Sequence, residues 1–162
     1  MSEQEYTLEE ISYSKKEDCR IMEAVLNSWF EDPKSLNLAS PSLNYPFEFK
    51  KWISKYYSIN QEQIITMVLK KNNWIIGHVS IRIEKNNLHI YHLFIEPRYR
   101  GKGLTKKIMN TINKKGLSLK KATISLNVHE KNNIAITVYL KLGYKRILNS
   151  KKKAIIKMLK YL

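Results

Sequence analysis

The sequence predicts a mixed α/β (α+β) fold, with a largely antiparallel sheet of about six or seven strands flanked by about four helices. Two observations lead to this prediction. Short apolar runs typical of strands alternate along the chain with amphipathic segments whose apolar residues recur every three or four positions. The length of 162 residues suits one hydrophobic core, so we expect a single domain over residues 1–162.

The pattern of residues 6–30 predicts a strand followed by a helix. Alternating apolar and polar residues predict the strand over 6–13. Ser14 and Glu17 have the spacing of a capping box, in which each side chain accepts a hydrogen bond from a free backbone N–H group at the start of a helix. This pair therefore predicts a helix over 17–30.

The next segment reads as a loop, a second helix and a three-stranded antiparallel meander. Residues 31–44 are rich in Pro, Ser and Asn, which favour a loop, and Pro46 suits the first turn of a helix over 46–57. Trp52 and Trp74 are predicted core residues. Two Lys-Asn-Asn turns separate the three predicted strands, which lie at 63–70, 74–84 and 88–95.

Helices and strands alternate in the back half of the chain. An amphipathic helix is predicted after a glycine-rich turn, with its inward face formed by Leu104, Ile108, Met109 and Ile112. A strand over 122–128 follows, and then a helix that begins after Asn132, a suitable N-cap, and ends before Gly143. The last two strands are predicted at 144–148 and 154–162, joined by the turn NSKKK.

Charge is distributed unevenly along the chain. Residues 1–96 carry 11 Lys and Arg against 13 Asp and Glu, a net charge of −2, whereas residues 97–162 carry 18 against Glu130 alone, a net charge of +17. The basic half favours a polyanionic partner, either a nucleic acid or a small ligand that bears phosphates. The single Cys19 excludes an intramolecular disulfide, and no apolar run is long enough to span a membrane. We expect a cytoplasmic protein with no membrane partner.

The segment from Tyr91 to Gly103, YHLFIEPRYRGKG, is typical of a phosphate-binding turn. An apolar strand runs into Gly101 and Gly103, and the helix that follows directs free N–H groups and the positive end of its dipole at the turn. The spacing differs from that of two well-known phosphate loops. A P-loop would require a glycine where Glu96 stands, and a dinucleotide-binding loop would require one at Lys106. What remains is the pattern R-x-x-G-x-G, which begins at Arg98.

Together with a second motif downstream, this pattern resembles the GNAT family of N-acetyltransferases. The second motif, SLNVHEKNNIAITVYLKLGYK, combines a strand with N-x-x-A at Asn132 and Ala135, then Tyr139, then Leu-Gly-Tyr at 142–144. The resemblance covers residues 74–145 well, and residues 1–73 only in their order of strand and helices. One departure is Thr105, which stands where many members have a glycine.

The resemblance implies that acetyl-CoA is the acetyl donor and that an amine is the acceptor. The pantetheine arm would lie along the strand at Leu93, Phe94 and Ile95, and the diphosphate would be held by the turn. The second motif would supply Asn127, Asn132, Ala135 and Tyr139. The residues that the resemblance assigns to the turn are Arg98, Arg100, Gly101, Lys102, Gly103, Leu104 and Thr105. No metal is expected.

The reaction would need a base, an oxyanion donor and an acid. Tyr139 is the predicted acid, which would protonate the departing thiolate or donate a hydrogen bond to it. The oxyanion donor is expected to be a main-chain amide near Phe94 or Ile95. Glu96, His89 and His92 are candidate bases, and none is assigned; a base acting through water is the default. Asn127 stands where some relatives carry a glutamate, and an amide cannot accept the proton.

The acceptor remains open between small amines, peptides and proteins, and so does the choice between a monomer and a homodimer. In this family the acceptor pocket is usually shaped by the elements that match residues 17–57 and by the loop before the last strand. In the front half of the chain, Glu31, Asp32 and Glu48 would attract a cationic amine. Two alternatives are kept. One is a basic nucleic-acid-binding protein, for which no recognisable reading motif is present, and the other is a catalytically silent acetyl-CoA-binding regulator.

Overall fold

The computed structural model describes residues 5–147 and 154–162, and it confirms the predicted mixed α/β fold. The described residues form one seven-stranded sheet with the order β1-β2-β3-β4-β5-β7-β6. Its strands are β1 Tyr6–Ile11, β2 Ile64–Lys71, β3 Trp74–Ile83, β4 Asn87–Ile95, β5 Thr123–His129, β6 Lys145–Arg146 and β7 Ile155–Tyr161. The α-helices are α1 Lys16–Trp29, α2 Pro33–Ala39, α3 Phe49–Tyr56, α4 Leu104–Ser118 and α5 Asn133–Lys141.

The strand pairing is largely antiparallel, as predicted. β1 pairs with β2, and β7 pairs with both β5 and β6, in antiparallel registers. β4 and β5 are parallel, with a register that runs from Asn87↔Thr123 to Ile90↔Leu126. A parallel pair needs a long crossover connection, and here α4 lies in that connection.

The chain divides into two compact units. The first consists of residues up to Ser80 together with His92–Lys102, and the second of Ile81–Tyr91 together with residues from Gly103 onward. Aromatic side chains fill the core of the first unit, among them Trp52 of α3 and Phe30, the C-cap residue of α1. In the second unit the predicted inward residues of α4 are all buried, as are Ile124 and Leu126 of β5.

Several local predictions were wrong. The capping box at Ser14 does not form: α1 begins after Lys15 without a side-chain cap, and Ser14 Oγ lies 2.6 Å from Ser12 Oγ instead. The predicted loop over 31–44 contains α2, which Asp32 caps by accepting hydrogen bonds from the backbone N–H and the hydroxyl of Ser35 at 3.2 and 2.9 Å. α2 brings the number of described α-helices to five rather than four.

Other boundaries and one core assignment also differ. α3 begins at Phe49 rather than Pro46, with Glu48 as its N-cap residue. Trp52 is fully buried as predicted, whereas Trp74 is 77% exposed because it is the first residue of β3, directly after the tight turn. β6 covers only Lys145–Arg146 of the predicted strand, whose last residue, Leu148, lies outside the described residues, as does the NSKKK turn.

Candidate active site

The turn after β4 has the backbone conformation that its two glycines predict. β4 ends at Ile95, a short 3-10 turn spans Pro97–Tyr99, and Gly101 and Gly103 follow with φ of +75° and +76°. Such angles strain any residue with a Cβ. A Cβ added at either glycine would have no heavy atom within 4 Å, so the main chain here is open to an approaching group. Gly103 is the N-cap residue of the 15-residue helix α4, whose first N–H groups have no partner within the helix.

The arginines of this turn take different positions. Arg98 is exposed and forms an ion pair with Glu96 at 3.2 Å. Arg100 folds back onto the end of β4, where its Nε donates a hydrogen bond to the carbonyl of Ile95 at 2.8 Å and its guanidinium lies 5.2 Å from the centre of the Phe94 ring. The charge of Arg100 therefore lies beside the strand segment to which the pantetheine arm was assigned.

His92 stands in the middle of β4 with a left-handed backbone, φ +51°, and its ring is enclosed in a polar cluster. Nδ1 lies 2.7 Å from the Tyr57 hydroxyl and Nε2 lies 3.1 Å from the Ser40 hydroxyl. Burial lowers the pKa of His92 well below 6.5, so the ring is neutral. Because both nitrogens already contact hydroxyl groups, the ring has no free nitrogen with which to take a proton from a substrate.

His78 supports the same part of β4 from β3. Its Nδ1 lies 2.8 Å from the carbonyl of His92, and because a carbonyl only accepts, Nδ1 carries the proton. Nε2 then accepts a hydrogen bond from the Tyr13 hydroxyl at 2.9 Å. Burial lowers the pKa of His78 to about 4, which is consistent with this neutral tautomer. His78 therefore has a structural role, since it holds the carbonyl of His92 in place.

The second motif forms the predicted strand and capped helix. The Asn132 side chain accepts a hydrogen bond from the backbone N–H of Ala135 at 3.3 Å, which caps α5. Tyr139 is buried on α5 with its ring centre 6.0 Å from that of Tyr144, and burial raises the pKa of Tyr139 to about 12. Asn127 is exposed on β5. Asn132 thus uses its carbonyl oxygen for the helix and keeps its amide N–H groups for other partners.

The hydrogen-bond partners of His89 differ from those of His92. Its Nδ1 lies 2.8 Å from the hydroxyl of Ser125, which also accepts a hydrogen bond from Asn87 Nδ2 at 2.8 Å. Because the Asn87 amide donates to that oxygen, the Ser125 hydroxyl is free to donate its own proton to Nδ1. Burial, followed by the charge of Arg82, lowers the pKa of His89 to about 4. His89 is therefore neutral near pH 7.

The sequence-predicted residues differ in exposure. The buried ones are Phe94, Ile95, Leu104 and Tyr139. The half-buried or exposed ones are Leu93, Arg98, Arg100, Gly101, Lys102, Gly103, Thr105, Asn127, Asn132 and Ala135. Sequence reasoning gave no role to Tyr57 and Ser40, which hold the His92 ring from 35 and 52 residues away. No local pattern in the sequence links residues so far apart.

The surface around α3 contains a groove lined mainly by lysines. The groove has a volume of about 410 Å³ and is lined by Leu43, Lys50, Lys51, Ser54 and Lys55, and it contains none of the predicted site residues. Glu48 forms an ion pair with Lys51, and Asp32 caps α2. Two of the three carboxylates proposed to attract a cationic amine therefore already have partners within the chain.

Two further features concern metals and membranes. Among the described residues, no group of three or more His, Cys, Asp or Glu side chains is arranged to hold a metal ion. No helix in the described ranges combines the length and the apolar character needed to cross a membrane.

Comparison with protein families matches residues 39–161 to the acetyltransferase (GNAT) domain. The chain belongs to the GNAT family. Both glycines of the turn, the Asn132 cap and Tyr139 lie within the matched residues, which cover about three quarters of the chain.

Solved structures with this GNAT fold resemble the chain over nearly its whole length. The PaiA N-acetyltransferase of Thermoplasma acidophilum, in complex with coenzyme A, is 18% identical, covers 100% of both chains and has a TM-score of 0.74. The spermidine N-acetyltransferase of Vibrio cholerae, in complex with CoA and spermine, is 16% identical with a TM-score of 0.73, covering 98% of this chain and 96% of that one. The GNAT domain of S. lividans PAT is 14% identical with a TM-score of 0.76, covering 96% and 89%. At identities of 14–18%, the structural similarity shows only that this chain shares the fold of these proteins.

Proposed function

We propose that this GNAT protein is an acetyl-CoA-dependent N-acetyltransferase that transfers an acetyl group to the primary amine of a small molecule, peptide or protein. The observation that carries the proposal is the open main chain at Gly101 and Gly103 at the N-terminus of α4. A diphosphate needs several converging N–H donors and room to approach them, and this turn offers both. The coenzyme A bound to the PaiA and spermidine enzymes is consistent with this reading.

The donor would be held by two stretches of main chain. The amides from Arg100 to Thr105 would bind the diphosphate, with Arg98 and Lys102 adding charge. The amide-bearing arm would lie along Leu93–Ile95, because β-strand addition requires strand edges with free hydrogen-bonding groups. The register of β4 with β5 ends at Ile90↔Leu126, before this segment begins. The PaiA enzyme, which matches the whole chain and was solved with coenzyme A, shows that a protein with this fold binds that cofactor.

Transfer would proceed by direct attack of the neutral amine on the thioester carbonyl in a ternary complex. An amide near Phe94 or Ile95 would stabilise the oxyanion. Tyr139, whose raised pKa keeps it protonated at neutral pH, would donate a hydrogen bond or a proton to the departing sulfur. Neither His92 nor His89 suits the role of direct base, because burial lowers the pKa of each ring, which makes it a weak proton acceptor, and both rings are hydrogen-bonded within the chain. Glu96, the third candidate, already forms an ion pair with Arg98, so a base acting through water is the expected arrangement.

The test compares two glycine variants that each place a side chain at a positive φ, at different places in the chain. Gly101→Val places a branched side chain at φ +75° inside the turn, and Gly143→Val does so at φ +95° after α5. Acetyl-CoA binding is measured by titration calorimetry with thermal stability recorded for both. We expect micromolar binding by the wild-type protein that is lost in Gly101→Val and kept in Gly143→Val. Equal binding by all three proteins would remove the turn from the donor site.

Turnover is tested by release of free CoA thiol with a panel of primary amines and peptides. Initial rates with both substrates varied should give intersecting lines, which indicate a ternary complex, rather than the parallel lines of a covalent acetyl-enzyme. A protein that binds acetyl-CoA but releases no thiol with any amine would instead favour the silent regulator.

A further inference from the structure

Three cations converge on the ring of Tyr99, directly before the glycine turn. The Lys71 ammonium lies 5.7 Å from the ring centre, the Arg98 guanidinium carbon 5.5 Å and the Lys102 ammonium 5.8 Å. Lys71 is the last residue of β2, so the fold brings it to Tyr99 from 28 positions earlier in the chain. All four residues belong to the first compact unit.

The charges in this cluster do not cancel. Lys71 pairs with Glu5 at 3.1 Å and Arg98 pairs with Glu96 at 3.2 Å, whereas Lys102 forms no ion pair with any residue that the structure describes. The three like charges gathered around the half-buried ring of Tyr99 repel each other, and Glu5, Glu96 and the ring face offset that repulsion only in part. Three cations against the carboxylates of Glu5 and Glu96 leave a net charge of +1, so an added anion would be stabilised there, and a group with more than one negative charge would gain most.

The position of the cluster indicates which anion it would take. The N–H groups of the glycine turn serve the diphosphate in the function proposed above. Arg98 and Lys102, which add charge beside that turn, also face Tyr99 together with Lys71, so the cluster is placed to take a second phosphate of the same ligand. Coenzyme A carries one, the phosphate monoester on its ribose. A monoester carries a charge of roughly −1.5 to −2 near pH 7, which exceeds the charge of any one cation of the cluster.

We propose that Lys71, Arg98 and Lys102, held together by Tyr99, form a subsite that recognises the ribose 3′-phosphate of coenzyme A. The inference rests on the proposed function, because it takes CoA as the donor. Lys71 and Lys102 supply point charges, and Tyr99 keeps them near each other through its ring face. Lys71 was not among the residues that the motifs identified, since it lies on β2, outside both of them.

The test compares CoA with dephospho-CoA, which differs only in lacking the 3′-phosphate. Dissociation constants for both are measured at one low ionic strength, and their ratio is used because it does not change with the fraction of folded protein. We expect the wild-type protein to bind CoA at least tenfold more tightly than dephospho-CoA. Lys71→Met, which keeps the apolar stem and removes the charge, should reduce this ratio by about fivefold or more, as should Tyr99→Leu.

Lys70→Met is the matched control. Lys70 neighbours Lys71 on β2, points to the opposite face of the strand and pairs with Glu9 at 2.5 Å, so its removal should leave the ratio unchanged. Equal binding of the two ligands by the wild-type protein would overturn the subsite and leave the proposed function intact. A wild-type ratio that Lys71→Met does not alter would also overturn it. If neither ligand binds, the proposed function and the subsite both fail.

Discussion

The imidazole of His92 lies parallel to the indole of Trp52, with ring centres 3.9 Å apart and an angle of 18° between the planes. The left-handed residue of β4 is thus fixed by stacking on one side and by two hydroxyl contacts in its plane. Since Leu93–Ile95 follow directly, the stack also fixes where the proposed cofactor segment begins. Because the His92 ring is enclosed on all these sides, its role is to hold the backbone of β4 in place and not to transfer a proton.

Replacing His92 should therefore affect stability more than a surface change does. His92→Asn keeps a residue that tolerates positive φ but removes the stack and at least one hydroxyl contact. We expect a loss of about 2–3 kcal/mol in the free energy of unfolding, measured with urea. His129→Asn, at the partly exposed end of β5, is the control and should cost about 0.5 kcal/mol or less. Equal losses in the two variants would contradict the enclosed role of His92.

Stability should fall with acidification because His78 is buried in its neutral form. Its pKa is about 4 in the folded protein and near 6.5 in the unfolded chain. Between these values the unfolded chain binds more protons, so the stabilisation is fully present above pH 6.5 and is lost as the pH falls towards 4. His78 alone accounts for roughly 3 kcal/mol of this loss. Urea unfolding of His78→Asn from pH 4.5 to 7.5 should show a shallower slope than the wild type, and an unchanged slope would refute the assignment.

Tyr139 and Tyr144 offer a matched pair of buried phenols. Tyr139→Phe should lower kcat by roughly 10²-fold while CoA binding is kept, because only the hydrogen bond to the departing sulfur is lost. Tyr144→Phe removes a buried hydroxyl that has no hydrogen-bond partner among the described residues, so it should keep full activity and stabilise the protein by about 0.5–1 kcal/mol. Since the pKa of Tyr139 is about 12, its ionisation should cause no loss of turnover between pH 7 and 10. Full activity in Tyr139→Phe would exclude the acid role.

Asp32 has a structural role that can be separated from its charge. Asp32→Ala should cost about 1 kcal/mol because α2 loses its cap, whereas Asp32→Asn keeps an acceptor oxygen and removes the charge. Ser14→Ala, at the capping box that does not form, should cost about 0.5 kcal/mol or less. If Asp32→Asn is stable and the acceptor KM is unchanged, Asp32 does not attract the amine; a raised KM would support the charge hypothesis.

The predictable parts of this protein are those in which neighbours in sequence are also neighbours in space. The turn at Gly101 and Gly103, the Asn132 cap and the inward face of α4 each depend on spacings of a few residues. The start of α2 could also have been predicted, because Asp32 followed by Pro33 is typical of a helix N-terminus. The neighbouring prolines and serines favoured a loop instead. The prediction of a capping box at Ser14 was wrong because the spacing of Ser14 and Glu17 allows these hydrogen bonds but does not require them.

By itself, the sequence determined the order of the elements apart from α2, the GNAT motifs and the basic character of the back half, since periodicity, glycine positions and charge are properties of the chain. Only the tertiary structure decided that His92 is enclosed by Trp52, Tyr57 and Ser40, and that Lys71 lies beside Tyr99. These pairs join residues 28 to 52 positions apart, and the contacts form only when distant segments pack together and lose contact with water.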